Sequence, residues 1–310
     1  MLSTLIFALI PIFVTISLGY LAARRGIFND QDSKRFVKLV LTFMLPLHVF
    51  GGLWSTSRRI LIANVPLMGW LMLSMTGCYL MMILIYRFGL HNSRQLATLR
   101  AMSIANPSVP FIGSAVLPLL FSTSNSAITI GICSLTVNII MLPIAFDALS
   151  SDRSPWKRLA ATFKKPLVLA AVLGFLLTLC GTQMPTQLTS TFDLLGKGAG
   201  GVAIFAAGIV LGTRHLSFNK TIFGTVLLKN IAFPLVVLLI MWIAGTPAVL
   251  RRLVVIALAI PTATMPSTLA IRFGVNEKEL ASTQFWSTAF FFGYAVGIRA
   301  GVGLACGWTL

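Results

Sequence analysis

Two short stretches carry the residue types from which a binding site can be built. They are Ser103-Ile-Ala-Asn-Pro-Ser-Val-Pro-Phe111 and Ile260-Pro-Thr-Ala-Thr-Met-Pro-Ser267. Each lies in the middle of an apolar run long enough to cross a bilayer. Pro107, Pro110, Pro261 and Pro266 each remove a backbone donor and clash with the preceding turn, so both runs are expected to break as helices. In hydrocarbon a broken span is tolerated only where it is buried in protein or lines a cavity. Two breaks in matching places predict a substrate site near the membrane midplane. The half-helix amino termini that follow the breaks would offer free N–H groups and partial positive charge, which suit a carboxylate. Asn106, Ser108, Thr262 and Thr264 would add side-chain hydrogen bonds. The plainer reading is that the prolines only kink two helices.

Other polar residues fall inside apolar runs. Lys229 is expected about 12 Å below the membrane surface at 1.5 Å per residue. It would either snorkel outward or face an inner vestibule and attract anions. Asn138 falls mid-span, where an amide bonds a neighbouring helix or lines the site. Arg299 reads as a snorkelling or structural charge. His48 reads as a helix-to-helix hydrogen bond, with proton coupling as the alternative. The seven acidic residues, Asp30, Asp32, Asp147, Asp152, Asp193, Glu277 and Glu279, are placed in loops or at span ends. An interior without carboxylates favours an anionic over a cationic substrate. No metal site, cofactor or catalytic constellation is indicated: Cys78, Cys133, Cys180 and Cys306 lack CxxC spacing, and no HExxH, GxSxG or P-loop motif occurs, so the chain is not read as an enzyme.

The elements that must hold these residues are set by composition. Hydrophobic residues make up 57% of the 310 and charged residues 10%, against roughly 25% charged in a soluble domain. An all-α membrane protein of ten spans is expected, at about 2–23, 36–54, 64–86, 96–121, 126–147, 166–182, 197–213, 221–244, 250–272 and 280–308. The formal net charge of +17 is concentrated in loops, as at an anionic lipid surface, and does not indicate nucleic acid. Seventeen Lys and Arg fall in loops after odd spans and five after even spans, which places both termini outside. The first span lacks a basic leader and reads as retained. A basic stretch at about 148–165 joins residues 1–150 to 151–310, two halves of five spans each. A shift of 155 residues puts Pro11 on Pro166, Gly19 on Gly174 and Asn106 on Pro261. An odd number of spans per half makes such repeats inverted. Gly208 with Gly212, and Gly293, Gly297 and Gly301, have the four-residue spacing that lets helices approach closely.

In this order, Leu9-Ile-Pro-Ile-Phe-Val, Leu18-Gly-Tyr-Leu, Leu45-Pro-Leu, Asn106-Pro-Ser, Lys165-Pro-Leu-Val, Gly200-Gly-Val-Ala-Ile-Phe-Ala-Ala-Gly, Leu228-Lys-Asn, Phe233-Pro-Leu and Ala259-Ile-Pro resemble the auxin efflux carrier family of permeases. That family includes malonate-transporter-like members and shares its architecture with bile acid:sodium symporters. The resemblance implies a scaffold of spans one, two, six and seven, and a mobile bundle of spans three to five and eight to ten. It implies a substrate site where spans four and nine cross, at Asn106, Pro107, Pro261 and their neighbours, with the span-eight lysine at Lys229. The separation of Pro261 from Pro266 departs from the adjacent prolines of many relatives. The expectation is a secondary carrier of a small organic anion, a mono- or dicarboxylate that is malonate- or auxin-like, in a bacterial inner membrane. The alternatives are a sodium-coupled symporter of a sterol-like or other organic anion and a non-transporting receptor or scaffold. The coupling ion, H+ or Na+, stays open, as does the oligomeric state, for which a homodimer through scaffold helices is one arrangement.

Overall fold

A computed structural model describes residues 14–149, 165–213 and 217–305, with side chains as far as residue 291. The expectations for Arg299, Cys306, the glycines at 293, 297 and 301, and most of the 148–165 stretch lie outside the described side chains. Helices carry the described chain, and no strand occurs among those residues. In chain order they are α1 (14–24), α2 (Asp30–Trp54), α3 (Arg58–Ala63), α4 (Val65–Gly89), α5 (Arg94–Ala105), α6 (Val109–Leu120) and α7 (Thr123–Leu149). They continue as α8 (Pro166–Leu179), α9 (Thr186–Gly196), α10 (Ala199–Thr213), α11 (Lys220–Ile243), α12 (Ala248–Ala259), α13 (Met265–Phe273) and α14 (Glu277–Ala305). Among the described residues, five segments are long and apolar enough to cross a membrane: α2, α4, α7, α9 with α10, and α11. Both expected breaks are present, between α5 and α6 and between α12 and α13.

Prolines shape the long helices in a second way. In α2, α7 and α11, one wide turn of π-helix occurs at Val40–Met44, Val137–Met141 and Leu228–Ala232. Each is followed two residues later by a proline: Pro46, Pro143 and Pro234. A proline inside a helix collides with the carbonyl four residues back. Those carbonyls belong to Thr42, Ile139 and Asn230, the middle residue of each wide turn. Widening the turn makes room for the ring and leaves the helix continuous. Asn138, Lys229 and Asn230 therefore all sit on wide turns.

The chain forms two compact units. The first comprises 1–68, 109–135 and 159–215. Here α8 lies against the carboxyl-terminal half of α2, with Gly174 on Leu53 and the Thr178 hydroxyl donating to the Leu53 carbonyl at 2.7 Å. The aromatic rings of Phe28, Phe36 and Phe205 meet edge to face. The second unit comprises 69–108, 136–158 and 216–310. In it α11 packs on α12 and α14, and α5 packs on the end of α7, on α13 and on α14. The expected scaffold spans all fall in the first unit, which also takes 109–135 from the expected mobile bundle.

Gly208 and Gly212 do allow the close approach that their spacing suggests. A Cβ at Gly208 would lie 2.2 Å from the Ile16 carbonyl oxygen, and one at Gly19 would lie 2.2 Å from that of Phe205. Both obstacles are backbone, so a side chain must push the helices apart. Gly208→Leu is expected to cost at least about 1–3 kcal/mol, seen as a fall in the thermal unfolding temperature of the purified protein. Gly69, where an added Cβ meets nothing within 4 Å, is the contrast. Gly69→Ala is expected to leave that temperature unchanged or raise it, since alanine is the better helix former.

Candidate substrate site at two broken helices

The two breaks lie against each other. Helix α5 ends at Ala105 and α12 at Ala259, and the segments that follow are extended and antiparallel, with Pro107 bridged to Thr262. The Ser108 N–H donates to the Pro261 carbonyl at 2.8 Å, and the Ala263 N–H donates to the Asn106 carbonyl at 3.0 Å. Each break thus satisfies part of the backbone that the other leaves open. An unpaired peptide group away from water costs a large part of a lost hydrogen bond or more, so this pairing is what makes two interruptions tolerable. The amides of Ser108 and Ala263, just before the half-helices that follow, are engaged with the opposite break.

Side chains complete the junction. The Thr262 hydroxyl donates to the Ser103 carbonyl at 2.8 Å, satisfying an acceptor in the last turn of α5. The Thr262 N–H donates to Ser287 Oγ at 3.0 Å. Ser287 Oγ in turn donates to Asn230 Oδ1 at 2.6 Å, and Asn230 Nδ2 donates to the Ser287 carbonyl at 2.8 Å. Ser287 and Asn230 were not singled out from the sequence, although a polar residue inside an apolar helix was the available signal.

Lys229 takes neither of the two expected postures. It is fully buried, and its ammonium donates to the Leu258 carbonyl at 2.7 Å while lying 5.5 Å from the centre of the Phe233 ring. Leu258 is in the last turn of α12, where unpaired carbonyls and the helix dipole attract a cation. The lysine therefore fastens α11 to the end of a half-helix.

Among the expected site residues, Asn106, Pro107, Ser108, Pro261 and Thr262 are buried and brought together at the junction. Asn106 is only 2% exposed. Thr264 is the half-buried N-cap of α13, its side chain making no capping bond, and Pro266 is in the first turn. Asn138 is half-buried on its wide turn, and Pro110 lies in the first turn of α6, in the other compact unit.

Two charges depart from their expected places. Arg100, counted with the loops, lies inside α5 and forms a double hydrogen bond with Glu279, Nε to Oε1 and Nη2 to Oε2, each 2.7 Å. The side chains of Arg100 and Glu279 are 14% and 9% exposed, and Asn276 Nδ2 also donates to Glu279. Asp193, expected in a loop, lies in α9, within the apolar segment Thr186–Thr213. It pairs with Lys197 one helical turn on, at 2.8 Å. No group of three or more potential metal ligands occurs among the described residues.

The family model described as "Membrane transport protein" matches the chain twice, over residues 4–154 and 153–295. The chain is 31% identical over 287 residues to "Uncharacterized transporter YfdV" of Escherichia coli K12, covering 90% of this chain and 91% of that one. The YfdV proteins of Escherichia coli O157:H7 and Shigella flexneri match with the same identity and coverage.

The buried Arg100–Glu279 pair generates a direct expectation. Removing one partner strands the other charge, so Arg100→Ala should destabilise the protein by about 3–5 kcal/mol. The double variant Arg100→Met/Glu279→Leu leaves no stranded charge and should recover most of that loss. Thermal unfolding of the purified variants measures both.

Proposed function

Because the chain belongs to the membrane transport protein family and is a multi-pass membrane protein, we propose that it is a secondary transporter of a small organic anion. The substrate class is a mono- or dicarboxylate, malonate- or auxin-like. The observation that carries this reading is the junction of the two breaks, where the buried Asn106 lies beside two half-helix ends. A carboxamide at such a junction has donors and an acceptor that a ligand can engage. The carboxamide of Asn106 would donate to a substrate carboxylate, and Thr264 and the amino-terminal turn of α13 would supply further donors. Lys229 would act through the helix end it fastens and through its positive charge.

The full arrangement is ten spans in two inverted repeats of five, with spans four and nine broken and crossing. The double match of the family model, once over each half, supports the repeat. An elevator-type movement of spans three to five and eight to ten against spans one, two, six and seven would give alternating access. The separation of the chain into two compact units supports this mechanism, with 109–135 joining the scaffold side. The charge asymmetry of the loops supports a bacterial inner-membrane location with both termini outside.

Reconstitution tests the reading. Proteoliposomes containing the protein should accumulate or release labelled malonate or a similar carboxylate. Asn106→Ala should reduce that flux by about tenfold or more, the effect of losing roughly 1.4 kcal/mol of binding. Absence of flux for every carboxylate, with no effect of Asn106→Ala on binding, would refute it.

A further inference from the structure

The first compact unit contains a cavity of about 470 Å³ that is not part of the junction of the breaks. It is walled by the carboxyl-terminal half of α2, by α6, by the start of α7, and by α9 and α10. The volume falls in the range of small-molecule sites. His48, Asp193 and Lys197 line it, together with hydroxyl groups that include those of Ser55, Thr123 and Thr189. Phe192 adds an aromatic surface, in tilted contact with Phe50 and edge-to-face contact with Trp54. Glycine makes this wall thin. A Cβ at Gly52 would meet Ala127 at 2.6 Å, and one at Gly200 would meet Ala115 at 2.8 Å, so helices close around the space at those points.

The charges decide which ligand fits. Asp193 and Lys197 lie one helical turn apart and pair with each other at 2.8 Å, with side-chain exposures of 36% and 72%. Such an intrahelical pair is weak and easily exchanged. A simple carboxylate that took Lys197 would leave Asp193 without its cation and beside a second negative charge. A simple amine would do the reverse to Lys197. A ligand bearing both charges replaces one weak pair with two and strands neither group.

We propose that this cavity binds a small zwitterion of the α-amino acid type, its ammonium on the Asp193 carboxylate and its carboxylate on Lys197 and the His48 imidazole. Its side chain would lie against Phe192 and the glycine-lined wall. Ser55, Thr123 and Met184 stand at the chain turns after α2, α6 and α8, so the cavity lies toward the face formed by those turns. The site stands independently of the carboxylate reading of the junction, because no residue is shared between them.

Gly201 supplies a clean test. It lines the cavity, and a Cβ there meets nothing within 4 Å, so Gly201→Phe fills the space without a collision at its base. The unfolding temperature of the full-length protein should rise with millimolar L-alanine or L-leucine, by mass action on the folded state. It should not rise with acetate or ethylamine. Gly201→Phe and Asp193→Asn should each abolish the rise, and Asn106→Ala should preserve it. Isothermal titration of the same variants with L-leucine gives a second readout should the unfolding temperature of Gly201→Phe itself move. The proposal is overturned if no amino acid binds, if binding survives Gly201→Phe, or if acetate binds as well as leucine. Loss of carboxylate flux at Asn106 with amino acid binding intact, or the reverse, separates failure of one site from failure of the other.

Discussion

Two backbone hydrogen bonds between the breaks are the constraint on which this protein depends. Prolines interrupt α5–α6 and α12–α13 where the chain is buried, so water is not available to pair the exposed peptide groups. Ser108 donating to Pro261 and Ala263 donating to Asn106 turn two separate liabilities into one short antiparallel contact. Neither break has this solution alone. The geometry of each half of the second unit is therefore tied to the other, and Thr262, Ser287 and Asn230 extend the tie to α14 and α11.

The same logic runs through the polar side chains of that unit. Lys229 donates to the Leu258 carbonyl in the last turn of α12, and Arg100 is held by both oxygens of Glu279. Each cation meets an acceptor that its own helix does not provide. These are interactions between distant parts of the chain, and they give a membrane-embedded bundle specificity that apolar packing alone does not supply, because lipid tails are as apolar as leucine.

What was legible in the sequence follows from whether the signal is local. Proline inside an apolar run dictates a break whatever surrounds it, so both breaks and most helix limits were readable. The spacing of Gly208 and Gly212 likewise announced close packing, which the contacts with Ile16 and Tyr20 bear out. The partner of a buried group is not local. Nothing near Lys229 in the chain indicates the Leu258 carbonyl, and Arg100 looks like a loop charge until Glu279 is placed beside it. Asp193 was misplaced because α9 is too polar at its start to read as part of an apolar segment, although Thr186–Thr213 as a whole is one.

The wide turns in α2, α7 and α11 carry a consequence for how such helices are drawn. Each turn accommodates one residue more than an α-helical turn, about 100° of rotation. A helical wheel continued through Leu228–Ala232 at a constant angle therefore assigns Val237 and Met241, both buried, to a direction offset by that amount relative to Ile222 and Val226. The inward stripe of the helix is two stripes in different phases, joined where Pro234 forces the extra residue in. Amphipathic patterns in this protein are continuous in space and discontinuous in sequence.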